Sequence, residues 1–195
     1  NRLNWMWETY PFEASEVCCA KTSLSFVDHI WEFFGPLLKG IPIVFYTKEE
    51  ILAVPQFIEK LSNDNVSRIV LVPSLLRAML AEKELCQTKL QKLNLWVSSG
   101  EALKENDVQR FYNTFRRPNI KLLNIYGSTE VTADATYYDT SENYNTYAKF
   151  ELFKHSLKGE IDTLITDREH DDRIVANSFA SLLQSDVYKN LDLVW

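Results

Sequence analysis

A regular alternation of helical and strand-like hydrophobic patterns limits the folds open to this chain more than any other property of its sequence. Apolar side chains at helical spacing cover residues 23–38, 48–61, 74–85 and 106–115. Short apolar runs typical of strands lie at residues 41–46, 66–72, 93–98, 120–125 and 133–138. Such alternation is typical of an α/β fold, so we predict a mostly parallel sheet flanked by helices.

Composition and charge limit the kinds of partner that this chain can bind. Of the 195 residues 46% are hydrophobic, which is enough to bury a core of domain size. The 21 Lys and Arg residues against 27 Asp and Glu give a net charge of −6, the wrong sign for a sequence-independent nucleic-acid binder. No apolar run approaches the roughly 18 residues of a membrane helix. We therefore expect a globular chain that has neither nucleic acid nor a membrane as a partner.

The cysteines and histidines do not form a recognisable site. They are Cys18, Cys19, Cys86, His29, His155 and His170. Neither set has the spacing of zinc ligands, and an odd number of cysteines favours free thiols in a reducing compartment. We expect all six to be packing or surface residues and the protein to be cytoplasmic.

The character of the sequence changes after about residue 139. Residues 141–147 are polar and turn-prone, and residues 151–195 hold nine acidic and five basic side chains, a net charge of −4. No chemistry is apparent in this segment. We predict one partial domain over residues 1–139 and an unassigned, divergent tail over residues 140–195.

Three of the predicted strands end in turns whose residues suit a binding site. The strand near residue 71 runs into Pro-Ser, the strand near residue 97 into Ser-Ser-Gly-Glu, and the strand near residue 124 into Tyr-Gly-Ser-Thr-Glu. Parallel sheets bind ligands beyond the carboxyl ends of their strands. Glycine lets a ligand approach the backbone, while Thr and Glu suit phosphate-bound Mg²⁺. One such turn alone would be an ordinary capped turn, but three together favour a site.

The third turn belongs to a longer pattern. Asn124-Ile-Tyr-Gly-Ser-Thr-Glu130 resembles the N-x-Y-G-P-T-E signature of the adenylate-forming superfamily, which includes acyl-CoA synthetases, luciferases and the adenylation domains of nonribosomal peptide synthetases. Phe26-Val-Asp-His-Ile-Trp-Glu32 is similar to the F-D-x-S-x-W-E helix of the peptide-synthetase branch. Residues 1–7 resemble the helix that follows this family's phosphate loop. The likeness covers about residues 1–139, although Ser replaces the usual Pro in the signature and His replaces the usual Ser in the helix.

This resemblance implies a fold, a reaction and a set of adenine-site residues. The fold would be the central part of the large N-terminal domain of an adenylate-forming enzyme. A substrate carboxylate would attack the α-phosphorus of ATP with the help of Mg²⁺, and the acyl group would pass to the phosphopantetheine thiol of a carrier-protein domain. Tyr126 would stack on adenine, Asn124 would bind its exocyclic amine, Thr129 would contact phosphate and Glu130 would hold Mg²⁺. The adenine site would comprise Gly100, Glu101, Asn124, Tyr126 and Gly127.

The same resemblance implies a substrate pocket. It would be lined by Val27, Asp28, Trp31, Val70, Val97, Ser99, Ile125, Ala133 and Asp134. Members that activate α-amino acids usually carry Asp in place of Val27, whereas here the acids are Asp28 and Asp134. Together with large apolar walls, these acids resemble the pattern associated with β-alanine, so we predict a small, β-alanine-like amino acid as the substrate. Taken singly, each residue also has an ordinary interpretation, as core for Trp31 or as a solvated acid for the two aspartates.

Parts of the family's machinery have no counterpart in this sequence. Its five glycines never lie within four residues of each other, so no glycine-rich phosphate loop is present, and no catalytic lid Lys is recognisable. We therefore expect a fragment of a larger ligase that is inactive alone. Two alternatives remain open: a non-catalytic remnant that binds nucleotide or amino acid, and an acyl- or aryl-CoA ligase.

Overall fold

A computed structural model of the chain describes residues 2–127 and 134–141. Their helices are α1 (Arg2–Thr9), α2 (His29–Leu37), α3 (Lys48–Leu52), α4 (Val54–Asn63), α5 (Pro73–Ala81), α6 (Lys83–Lys89) and α7 (Glu105–Thr114). Their strands are β1 (Cys18–Ala20), β2 (Ile43–Phe45), β3 (Arg68–Leu71), β4 (Leu95–Ser98), β5 (Lys121–Tyr126) and β6 (Thr136–Asp139). The predicted α/β fold is confirmed.

All six strands form one sheet, in the order β2-β1-β3-β4-β5-β6. The first five are parallel to each other, and β6 pairs antiparallel with β5. Both β3 and β4 are buried along their whole length, as is typical of central strands covered on both faces. The mostly parallel sheet flanked by helices is therefore present, with an antiparallel strand at one end.

Separate apolar layers cover the two faces of the sheet. On one face, Met6 of α1 and Trp31 of α2 pack with side chains of β3, β4 and β5. On the other face, the ring of Trp96 in β4 lies 5.4 Å from that of Phe111 in α7, measured between centroids. Successive side chains of a strand point to opposite faces, so each central strand contributes to both layers. Full burial of one large apolar side chain contributes about 1.5–3 kcal/mol, so these layers stabilise the sheet on which the site is built.

The helix predicted over residues 48–61 is divided into α3 and α4. Thr47 and Glu50 form a capping box at the start of α3, in which each side chain accepts a hydrogen bond from the other residue's backbone N–H. Pro55 lies in the first turn of α4. A proline is tolerated there because the N–H that it lacks would have no partner within the helix. The interruption predicted at Pro55 is thus the start of a new helix.

Three other elements differ from the sequence-based expectation. The helix predicted over residues 74–85 consists of α5 and α6, which meet at Glu82, whose backbone is not helical (φ −86°, ψ 52°). The helix predicted from residue 23 begins only at α2. The sequence predicts no strand at β1, because three residues are too few to show a pattern.

Burial within β1 raises the pKa of the Cys18 thiol to about 12, so this cysteine stays protonated and serves as packing.

The described elements belong to one compact unit. Its three cysteines are buried and unpaired, as predicted. Among the described residues, no helix is long and apolar enough to cross a lipid bilayer. His155, His170 and almost all of the predicted tail lie outside the described residues, so the boundary near residue 139 stays a prediction.

Candidate functional site

Three strand ends lie side by side at one edge of the sheet. In the parallel register Leu71 pairs with Ser98, and Ser98 pairs with Asn124, so the turns after β3, β4 and β5 meet at the carboxyl edge. A hydrogen bond from the Ser99 amide to the Leu71 carbonyl (3.1 Å) joins the first two turns. The structure thus brings together the three turns that the sequence singled out, at the edge where parallel sheets bind ligands.

Four of the predicted pocket residues share one buried apolar cluster. Its members are Met6, Trp31, Val70, Leu95, Val97, Leu123 and Ile125. Trp31 belongs to α2, whereas Val70, Val97 and Ile125 belong to three adjacent strands. The indole Nε1–H of Trp31 is buried without an acceptor among the described residues. The cluster supplies a continuous apolar wall beside the three turns.

Other predicted pocket residues lie elsewhere. Val27 precedes α2, is 42% exposed and is not a member of the buried cluster, so it can contribute only to the rim of a pocket. Ser99 is buried in the turn after β4. Ala133 lies outside the described residues.

Asp134 is joined to a residue that the sequence analysis did not single out. The Nε–H of Arg2, in the first turn of α1, donates to Oδ2 of Asp134 across 132 positions of sequence. Both side chains are largely buried, with 16% and 5% of their surface exposed. The guanidinium carbon of Arg2 also lies 4.9 Å from the ring centroid of Trp5 and 5.0 Å from that of Trp31. A lone cation on an aromatic, amphipathic helix was the available signal for this residue.

Asp28 is the second acid near this wall. It occupies the N-cap position of α2, but its carboxylate makes no capping hydrogen bond, so capping does not account for it. Burial raises the pKa of Asp28, and the negative charge of Asp134 raises it further. A hydrogen bond with Ser99 and the positive charge of Arg2 oppose this shift. The structure therefore brings both predicted acids and Ser99 into one electrostatic cluster.

The predicted adenine-site residues of β5 lie on the other face of the sheet. Asn124 is only 4% exposed, and its amide Nδ2 has no acceptor among the described residues. Its register neighbour Ser98 also has a buried hydroxyl without a partner there. Tyr126, two positions further along the strand, is 57% exposed. A buried amide that has no acceptor in the described part of the chain, beside an exposed aromatic ring, fits a planar ligand that has hydrogen-bonding edges.

The turn after β4 is held by backbone and side-chain geometry together. Gly100 has a φ of +83°, a left-handed conformation that favours glycine. The Glu101 carboxylate accepts hydrogen bonds from the Ser74 amide (3.1 Å) and hydroxyl (2.7 Å) at the start of α5. Arg77 lies between Glu101 (3.4 Å) and Asp107 of α7 (2.9 Å). The Glu101 side chain therefore fixes the turn, which leaves its backbone for the predicted adenine slot.

Two further predicted residues, Thr129 and Glu130, lie outside the described residues. Gly127, the last described residue of the signature turn, is partly buried. Across residues 2–127 and 134–141, no three His, Cys, Asp or Glu side chains are grouped so that they could hold a metal ion. The predicted roles of Thr129 and Glu130 in phosphate and Mg²⁺ binding stay predictions.

Comparison with known proteins identifies the family. A family model described as AMP-binding enzyme matches residues 1–152. The chain belongs to the AMP-binding enzyme family. Ebony, a beta-alanyl-bioamine nonribosomal peptide synthetase of Drosophila melanogaster, is 39% identical over 144 residues, which are 71% of this chain and 16% of that protein. The beta-alanyl-bioamine nonribosomal peptide synthetase of Schistosoma mansoni is 30% identical over 162 residues, covering 70% of this chain and 13% of that protein.

Solved structures support the same fold. The Vibrio cholerae adenylation domain AlmE, solved with glycyl-adenosine-5'-phosphate, superposes with a TM-score of 0.60 at 20% identity, over 71% of this chain and 25% of that chain. The relatives of this chain are adenylation domains of nonribosomal peptide synthetases, so the predicted resemblance is confirmed. The chain spans less than a fifth of the length of these two synthetases.

Proposed function

We propose that this chain carries part of the site of an ATP-dependent ligase that activates a small amino acid, with β-alanine favoured, as its aminoacyl-adenylate. One observation supports this most: an apolar wall around Trp31 lies beside the Asp28 carboxylate at the sheet edge that also carries Asn124. An ammonium group in such a pocket needs a carboxylate partner, because an unpaired buried charge is costly. A short amino acid meets both requirements.

The proposed reaction joins a substrate carboxylate oxygen to the α-phosphorus of ATP and breaks the bond from that phosphorus to pyrophosphate. The thiol of phosphopantetheine then attacks the acyl carbon, and AMP leaves. Such chemistry depends on alignment and charge neutralisation rather than on a protein nucleophile. In this proposal Asn124 and Tyr126 hold adenine, and Asp28 holds the ammonium. Mg²⁺ would neutralise phosphate charge, with Glu130 as its ligand.

Support for β-alanine as the substrate comes from two sides. Two relatives in the comparisons are named beta-alanyl-bioamine synthetases. In the peptide-synthetase branch that this sequence resembles, members that activate α-amino acids usually carry an acid in place of Val27, and that acid binds the α-ammonium. Here the acid is Asp28, at the next position. A carrier-protein domain with phosphopantetheine is the proposed partner, since these relatives are nonribosomal peptide synthetases. A cytoplasmic location, favoured by three unpaired thiols, is part of the same proposal.

The test is amino-acid-dependent exchange of labelled pyrophosphate into ATP by the full-length protein. The panel contains β-alanine, α-alanine, glycine, benzoate and a medium-chain fatty acid. We expect β-alanine to give the highest kcat/KM, and removal of Mg²⁺ by chelation to abolish exchange.

The other outcomes distinguish the alternatives. Higher kcat/KM for benzoate or the fatty acid would identify an acyl- or aryl-CoA ligase instead. Binding of ATP without exchange for any acid would identify a non-catalytic remnant.

A further inference from the structure

The buried ion pair between Arg2 and Asp134 bears on which substrates the proposed pocket accepts, an inference that rests on the proposed function. Two acids and one base come together there from three parts of the chain: Arg2 from α1, Asp28 from the start of α2, and Asp134 from the segment before β6. We infer that Arg2 is a specificity-determining residue: it neutralises Asp134 and so leaves Asp28 as the single acid available to a substrate ammonium.

Contacts with Asp134 and two aromatic rings hold Arg2 in this position. Its Nε–H donates to Asp134, and its guanidinium carbon lies about equally far from the rings of Trp5 (4.9 Å) and Trp31 (5.0 Å). The cation contacts both aromatic rings and is largely removed from water, a setting in which charge pairing and cation–π attraction are strongest. Nη1 and Nη2 of Arg2 are buried without acceptors among the described residues. Among the described residues, Asp134 is therefore the carboxylate to which this cation is hydrogen-bonded.

The net charge of this cluster limits the number of ammonium groups that a substrate can carry. Asp28 and Asp134 contribute −2 and Arg2 contributes +1, so the pocket carries a net charge of −1 when all three are ionised. A further acid, Glu32, is also close enough to influence Asp28. Its carboxylate is already held by the amides of Lys21 (3.0 Å) and Thr22 (2.8 Å) and by the Lys21 ammonium (3.4 Å). One substrate ammonium thus neutralises the pocket, whereas two would leave an excess positive charge.

Substitutions at the ion pair test this limit in both directions. Arg2→Met keeps the apolar stem and removes the cation, which leaves two unneutralised acids. We expect the preference for β-alanine over 2,4-diaminobutyrate, measured as a ratio of kcat/KM in pyrophosphate exchange, to fall by about tenfold or more. The double variant Arg2→Met/Asp134→Asn restores the net charge of −1 and is expected to recover most of the ratio. γ-Aminobutyrate, which has the same chain length but one ammonium, controls for substrate size.

Two further variants make the result decisive. Arg117→Met is a matched control. Arg117 also has two buried guanidinium nitrogens that find no acceptor within residues 2–127 and 134–141, but it donates to the Leu93 carbonyl, before β4 and away from the carboxyl edge. It should leave the ratio unchanged. Asp134→Asn alone changes the net charge of the pocket from −1 to zero and should lower kcat/KM for β-alanine by about tenfold, a prediction that stands even where Arg2→Met does not fold.

The inference and the proposed function fail in different ways. If the wild-type protein exchanges pyrophosphate with β-alanine but Arg2→Met keeps the wild-type ratio, or the double variant does not recover it, the inference about Arg2 is overturned and the proposed function stands. If the wild-type protein exchanges pyrophosphate with no amino acid, the proposed function is overturned, and the inference falls with it.

Discussion

At the scale of single residues, Asp28 lies at the start of α2 but its carboxylate is not used by that helix. An aspartate before a helix normally accepts hydrogen bonds from the first turn, but Asp28 makes none. Its carboxylate instead lies near Asp134 and Arg2 and is hydrogen-bonded with Ser99. A half-buried carboxylate that the local helix does not use is available to a cationic ligand.

Replacing this carboxylate should remove amine recognition. In the Asp28→Ala variant we expect kcat/KM for β-alanine to fall by about tenfold or more, because the buried ammonium loses its counter-ion. Pyrophosphate exchange measures this, and Glu8→Ala, at an exposed acid on α1, is the control that should behave like the wild type. Undiminished selectivity for β-alanine in Asp28→Ala would show that another group binds the amine.

The raised pKa of Asp28 predicts a pH dependence of substrate binding. Binding of an ammonium needs the ionised carboxylate, so KM for β-alanine should rise as the pH falls, starting at a higher pH than for an ordinary aspartate. Stability should change in the opposite direction. A carboxyl whose pKa is higher in the folded than in the unfolded state gains protons on folding, so lowering the pH through the folded-state pKa stabilises the fold.

Steady-state kinetics across the acidic range would check this, with KM for ATP measured in parallel. The Asp28→Asn variant should lose the dependence of KM for β-alanine on pH. If Asp28→Asn keeps the wild-type profile, the titrating group is a different one.

At the scale of elements, the site depends on turns whose shape is set by interactions between helices and strands. Gly100 adopts a left-handed backbone, and a Cβ built there would lie 3.4 Å from Cγ1 of Val72 in the neighbouring turn. Glu101 joins the same turn to the start of α5, and Arg77 connects it to α7. These contacts join the turn to two helices at the carboxyl edge, where the adenine slot is proposed.

A pair of glycine substitutions separates stability from binding. Gly100→Ala and Gly40→Ala should each lower the free energy of unfolding by about 1–2 kcal/mol, because both glycines have left-handed backbones (φ +83° and +69°). A Cβ at Gly40 would have no atom within 4 Å, whereas one at Gly100 would crowd Val72. Only Gly100→Ala should also weaken ATP binding. Denaturant unfolding and equilibrium nucleotide titration measure the two effects, and equal ATP binding by both variants would contradict the proposed slot.

At the scale of the described compact unit, large apolar side chains remain uncovered. The most exposed are Leu24, Phe26, Leu38, Phe45 and Leu52. They lie in β2, in α3 and in the segments before and after α2, and β2 ends the sheet formed by the described residues. A free strand edge next to exposed aromatic and aliphatic side chains favours association between molecules.

A charge placed on this edge should reduce that association. We expect Phe45→Lys to lower the concentration-dependent self-association of the 195-residue chain without lowering its melting temperature, since Phe45 is largely exposed. Analytical ultracentrifugation gives the association and thermal unfolding the stability. Gln56→Lys, at an exposed position of α4, adds the same charge away from the edge and should have a smaller effect. Equal effects of the two substitutions would point to net charge rather than the strand edge.

Much of this architecture was predictable because it depends on local patterns. Alternating strand and helix periodicity indicated the α/β fold, and β3, β4 and β5 were placed within three residues of their ends. The three turns at the carboxyl edge followed from the same order, since parallel strands bring their carboxyl ends together. In β1, three residues offer too short a pattern, and at Glu82 no Pro or Gly announces the break between α5 and α6.

The sequence by itself determined the fold class, the family and the identity of the residues at the sheet edge, because these depend on spacing along the chain. Only the tertiary structure decided which charges meet. Arg2 and Asp134 are separated by 132 positions, and neither has a neighbour that predicts the other. Their pairing requires α1 and the segment before β6 to lie against the same face of the sheet. Of the two acids predicted for the pocket, Asp134 is therefore paired with Arg2, which leaves Asp28.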